Sequence, residues 1–109
     1  MGWVPFGAEA MEHQFDEMLA DRAIAPQRRP WDYFHDHFWC TFWFETVAPK
    51  LLLETIGYDK VLFETDFPHP TALYPNVQNH IVEVLGGYTP EIRRQVLERN
   101  AVKLYDLPF

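Results

Sequence analysis

The chain has 109 residues, 48 % of them hydrophobic, and carries a formal net charge of -7. That length suits one small domain, the composition excludes a disordered chain, and the acidity argues against a nucleic-acid surface or an anionic membrane as partner. The single cysteine, Cys40, cannot close an intrachain disulfide, and no apolar run reaches the roughly 20 residues of a membrane span, so a reducing, cytoplasmic setting is expected.

Met1 to Phe6 has no basic region of the signal-peptide kind. Trp3 to Phe6, broken by Pro5, reads as the end of a strand cut from something larger. From Ala8 to Ala23 the pattern is helical, with Met11, Phe15, Met18 and Leu19 on one face and Glu9, Glu12, Asp16 and Glu17 elsewhere. Pro26 stops it, and Gln27 to Pro30 form a loop. Phe38 to Phe44 is continuously apolar or β-favouring, the mark of a strand buried on both faces. Thr46 is placed to cap the next helix, with Pro49 in its first turn, Leu51, Leu52 and Ile56 buried, and Gly57 as its stop.

Lys60 to Thr65 gives the third strand, ending at Asp66, and is expected to lie parallel to Phe38–Trp43 with Pro49–Ile56 as the crossover. Phe67 to Pro75 has no periodicity and reads as a loop. Asn76 to Leu85 is helical, with Val77, Ile81, Val84 and Leu85 inward and Gly86-Gly87 as the stop. Thr89-Pro90-Glu91 opens the last helix, whose buried face is Ile92, Val96, Ala101 and Leu104. Alternating strands and helices mean an α/β chain with a parallel sheet. About three parallel strands have two bare edges and too little cover, so residues 1–109 are expected to be a single partial domain.

The chemistry concentrates in Leu62-Phe63-Glu64-Thr65-Asp66-Phe67-Pro68-His69-Pro70. Parallel α/β folds gather catalytic residues at the carboxyl ends of strands, where Asp66 falls. An aspartate there can ligate a metal and accept a proton, or it can simply cap a turn. Spacing leaves those two readings level. His69 follows on the same loop, placed either to touch substrate or to structure the loop. Phe67 and Tyr74 are placed to line a pocket or to pack the loop.

Gly57 to His69, then Tyr74-Pro75-Asn76, then Asn100 to Leu107 resemble the C-terminal end of the amidohydrolase-related family. That family includes aminocarboxymuconate-semialdehyde decarboxylase and related aromatic-acid decarboxylases and hydratases. Gly2 to Phe6 and Tyr33-Phe34 with Phe38-Trp39 resemble its earlier segments. The resemblance implies the C-terminal part of a (β/α)₈ TIM barrel, typically near 250 residues. It implies a divalent metal, zinc in most members, with Asp66 as ligand and proton acceptor; His69 and Phe67, from their place on the same loop, are the residues expected to bind substrate. The reaction implied is hydrolysis of a C–N or C–O bond, or decarboxylation of an aromatic or unsaturated acid, on a small molecule. The family's His-x-His pair and its middle-strand histidine have no counterpart here.

His35-Asp36-His37 has the His-x-His spacing but falls where a strand begins, in a segment resembling the seventh. It is read as structural. Cys40 is read as an inert buried thiol, and Arg93 and Arg94 as part of a solvated helix face. A rival reading makes the chain a non-catalytic fragment that self-associates, as a homo-oligomer or with the missing N-terminal part of the barrel. The weakest rival is a metal module built from His35, His37 and His69.

Overall fold

A computed structural model describes residues 1–17 and 26–109. The expected helical face at Met18 and Leu19, and that helix's end at Ala23, lie outside the described residues.

The first element corrects the sequence reading. Trp3 to Phe6 is not a strand end: helix α1 runs Val4–Glu17. Proline is tolerated in a first helical turn because its missing N–H has no partner there anyway. So Pro5 starts this helix instead of ending a strand. The buried residues are Val4 and Ala8, one turn apart, whereas Met11 is 46 % exposed. The apolar face is therefore set by the small residues near the start of α1. Helix α2, Pro30–His37, follows, with Pro30 at its beginning. Trp31 stacks on Phe34 and Phe34 on Phe38, at 5.3 and 5.6 Å between ring centres. α1 lies against α2.

Strand β1, Cys40–Phe42, is shorter than the Phe38–Phe44 run, and Phe38 and Phe44 are exposed. Nor is β1 buried on both faces, since Thr41 is exposed. Short helices α3, Val47–Leu51, and α4, Leu53–Ile56, lead to a 3-10 turn at Tyr58–Lys60 and then strand β2, Val61–Phe63. Thr46 stands at the α3 cap position without a side-chain bond, and Leu51 is 71 % exposed rather than buried. Helix α5 spans Val77–Leu85. The C-terminal rod is α6, Pro90–Arg94, a π-helical turn at Gln95–Arg99, and α7, Asn100–Tyr105. Thr89 caps it by accepting from the Ile92 N–H.

Among the described residues the sheet has two strands, not three, and they are parallel, with Cys40 opposite Val61, Thr41 opposite Leu62 and Phe42 opposite Phe63. The predicted parallel pairing and its α3–α4 crossover are what the chain adopts. Phe42, Val61, Leu53, Ile56, Val84 and Leu85 make the centre of the core. Each such side chain contributes about 1.5–3 kcal/mol by leaving water. Phe42 and Val61 turn one face of the sheet into this core, Leu62 is buried on the other, and beyond β2 the chain runs into the Asp66 loop.

Candidate functional site

The ladder continues one residue past β2, because the Glu64 N–H donates to the Phe42 carbonyl at 3.0 Å. The chain then turns. Asp66 takes φ +60°, the left-handed region that aspartate tolerates better than most residues. This turn folds the loop back so that its own side chains meet the Asp66 carboxylate. His69 Nδ1 lies 2.8 Å from one carboxylate oxygen, and Thr71 Oγ1 donates to the other at 2.7 Å. The Asp66 carbonyl also accepts from the His69 N–H at 2.9 Å. Thr65 anchors the loop base by accepting from the Leu73 N–H at 3.1 Å.

These bonds set the electrostatics. The His69 bond, then the Thr71 bond, hold the Asp66 carboxyl below its ordinary range. Reciprocally, the Asp66 carboxylate raises His69. His69 thus favours the imidazolium, and its ring is 71 % exposed while Asp66 is only 23 % exposed. The arrangement is an anchored carboxylate with a histidine presented to solvent. Phe67 and Tyr74 meet edge-on at 6.1 Å between ring centres and are both largely exposed.

The structure brings Asp66 and His69 into contact and places Phe67 beside Asp66 in the chain, on the rim of the same loop. Thr71 was missed by sequence reasoning. Its only signal is a hydroxyl five residues after Asp66, which has meaning only once the loop is folded. Glu64 and Thr41 were missed too, although Thr41 Oγ1 donates to Glu64 at 2.9 Å on the sheet. Strand alternation from Leu62 puts Glu64 on Thr41's side, and that signal was readable.

His35 and His37 are on helix α2, not at the start of a strand. Two residues apart on a helix point in divergent directions, so they do not form a ligand pair. Among the described residues no three His, Cys, Asp or Glu side chains gather into a metal-holding group. This removes the module of His35, His37 and His69. Cys40 is half-buried, and desolvation pushes its thiol up to about 11. Arg94 pairs with Glu98 on the solvated face as expected, whereas Arg93 is half-buried.

A protein-family model described as Amidohydrolase matches residues 2–107. The chain belongs to the amidohydrolase family. No curated protein matches it. Amidohydrolase membership is compatible with the parallel β1–α3–α4–β2 unit. Amidohydrolase enzymes use a divalent metal, but a catalytic zinc site takes about three protein ligands. Asp66 offers one carboxylate, already bonded at both oxygens, and His69 spends Nδ1 on it. The donors among the described residues do not by themselves fit such an ion. No helix of the described chain is long and apolar enough to cross a membrane.

Proposed function

We propose that this chain is the strand-seven to strand-eight end of a (β/α)₈ metal-dependent hydrolase, with Asp66 as its catalytic carboxylate. The observation that carries the reading is the Asp66 carboxylate fixed by His69 and Thr71 in the loop that follows the carboxyl end of a parallel strand. Ligands and catalytic groups of such barrels sit at that end. A carboxylate held at both oxygens is oriented in advance, and orientation is what a proton acceptor must have. Asp66 would take the proton of an attacking nucleophile and would be this chain's contribution to a metal centre, zinc in our reading, whose other ligands come from elsewhere. His69 and Phe67 would contact a small-molecule substrate. Both hydrolysis of a C–N or C–O bond and decarboxylation of an aromatic or unsaturated acid belong to this reading.

The partial-barrel reading draws on shape. The radius of gyration is 16.4 Å, against about 13 Å for a compact domain of this length. Among the described residues the sheet has two strands, so each has one edge with no partner strand there.

The test is turnover of amide, ester and unsaturated-acid substrates with zinc by a polypeptide that joins this chain to the first six barrel strands. Asp66→Asn should lower the rate by about 10²–10⁴ while leaving circular dichroism unchanged. Near-normal turnover in the variant would remove Asp66 from the chemistry.

A second reading is favoured by one observation. Val47 and Leu51 are 66 % and 71 % exposed on α3, and Trp3 and Phe6 are 67 % and 77 % exposed near the start of α1. These exposed side chains are the surface that a second copy or the rest of the barrel would cover in this reading. Sedimentation showing a monomer at all concentrations would set this reading aside.

A further inference from the structure

Helix α1 meets α2 and α4 around a cleft of about 510 Å³. That volume falls within the roughly 300–1,000 Å³ of small-molecule sites. Its apolar wall is Pro5, Ala8 and the Trp31 side chain. Ala8 is 3 % exposed, so a methyl group stands where a longer side chain would fill the gap between the helices. Trp31 is braced by Phe34, its ring stacked at 5.3 Å with the planes 8° apart, and Phe34 is buried in the core. The polar wall is acidic. Arg29 is the one basic lining residue among the described residues, and its charge is spent. Its Nε donates to Glu12, and its Nη2 donates to both Asp16 oxygens at 2.9 and 3.0 Å. Glu12 is committed too, because its other oxygen accepts from the Trp31 N–H at 2.9 Å. Glu9 and Asp32 also line the cleft, are exposed, and form no ion pair with a described residue. Arg28, whose charge acts on Asp32, is itself bonded to Asp36 at 2.6 Å.

We propose that this cleft binds a small organic ammonium ion, with its apolar body against Ala8 and Trp31 and its charge towards Glu9 and Asp32. No residue of the Asp66 loop lines the cleft, so the inference stands apart from the reading of Asp66. The apolar wall supplies burial for a small carbon skeleton, and the braced indole is the aromatic ring that cations favour most. An ammonium group only donates hydrogen bonds and an ionised carboxylate only accepts them, so the two open acids match it without a competing base. Thr55 adds a hydroxyl that can accept at the same wall. A carboxylate ligand of the same shape would meet three lining acids against one neutralised arginine. The net charge of -7 also draws cations, not anions, towards the molecule.

The test uses phenethylamine, phenethyl alcohol and phenylpropionate, three probes of similar shape that are cationic, neutral and anionic, titrated into the ¹⁵N-labelled full chain. Phenethylamine should shift the Trp31 indole N–H and the amides of Ala8, Glu9 and Thr55 saturably. Phenethyl alcohol should bind there several-fold more weakly, and phenylpropionate should not bind. Glu9→Gln and Asp32→Asn, both nearly isosteric changes at exposed positions, should each weaken phenethylamine about two- to fivefold, the size of an exposed ion pair. Neither should change the affinity for phenethyl alcohol. Added salt at about 1 M should weaken the amine and leave the alcohol unaffected or tighter. Alcohol or phenylpropionate binding as tightly as the amine, an amine affinity unchanged in both variants, or no saturable shift with any of the three probes overturns the proposal.

Discussion

Asn100 Nδ2 donates to the Val61 carbonyl at 2.6 Å, joining the first residue of α7 to the first residue of β2 from 39 positions away. The same amide donates to the Tyr58 carbonyl at 2.8 Å, and Gln95 Nε2 donates to Asn100 Oδ1 at 2.6 Å. Asn100 is fully buried. Its side chain therefore satisfies backbone acceptors in the turn that launches β2, upstream of the Asp66 loop. Asn100→Leu keeps the size but strands those carbonyls, and each buried group left unpaired costs about 1–3 kcal/mol. Urea unfolding followed by tryptophan fluorescence should show a loss of about 2–4 kcal/mol. Gln95→Ala should cost less, because water can replace one partner of the amide oxygen. Equal stability of Asn100→Leu and the parent would show that the network carries no net energy.

Gly57 ends α4 with φ +95°, and a methyl group there would lie 3.0 Å from Asp59 Oδ1 and 3.2 Å from His35 Nε2. Left-handed backbone costs a residue with a Cβ roughly 1–2 kcal/mol. Gly57→Ala should lose at least that amount in thermal or urea unfolding. Gly87→Ala is the control, because nothing lies within 4 Å of its added methyl group. Its effect should stay within about 0.5 kcal/mol. Matching losses at the two positions would mean that φ and close approach do not decide the cost at Gly57.

Local signals were legible where they act over a few residues. Gly57 as a stop, the Thr89-Pro90-Glu91 opening and the parallel pairing of β1 with β2 all follow from short patterns with a stated chemistry. The errors came where one pattern suits two structures. Pro5 after an apolar pair fits a strand end or a first helical turn, and only the packing of Val4 and Ala8 decides between them. His35 and His37 look paired until a helix separates them. Phe38 to Phe44 has the content of a buried strand, yet with one neighbouring strand only Cys40–Phe42 finds a ladder. The position of Asp66 in a loop after a strand was readable, whereas its role was left level between chemistry and turn-capping by the spacing alone. Thr71 was not, because its bond to Asp66 depends on the left-handed turn at Asp66 itself.

Cys40 sits on β1 with Sγ 3.9 Å from the Lys60 carbonyl, and burial pushes its thiol up to about 11. Thiolate is the reacting form, so at pH 8 only about one molecule in a thousand is primed for attack. Ellman's reagent should modify the native chain slowly and the urea-unfolded chain within the mixing time of a normal thiol. Native reaction as fast as unfolded would mean that the thiol is open to solvent and that its role as an inert packing group is wrong.

The pair Asp66 and His69 gives the loop a pH dependence whose sign is fixed. The Asp66 carboxyl is lowered, first by its bond to His69 and then by Thr71, so its stabilising contribution is present above the ordinary carboxyl value of about 4. It is lost as pH falls through the lowered folded value. The His69 ring is raised by the Asp66 bond, so its contribution is complete below about pH 6.5 and is lost as pH rises through the raised folded value. The two windows overlap between about pH 4 and 6.5, where the ion pair is fully formed. His69 is largely exposed, so salt and water screen the pair, and a global stability change would be small. The measurement is therefore local. The His69 ring protons, followed by NMR, should titrate above about 6.5 in the parent and move back towards that value in Asp66→Asn. Added salt at about 1 M should produce part of the same return. Thr71→Val should raise the Asp66 carboxyl while moving His69 less, because Thr71 bonds the other carboxylate oxygen. A His69 midpoint that is identical in the parent and in Asp66→Asn would show that the two side chains do not pair in solution, and the anchored carboxylate on which the proposed chemistry depends would go with it.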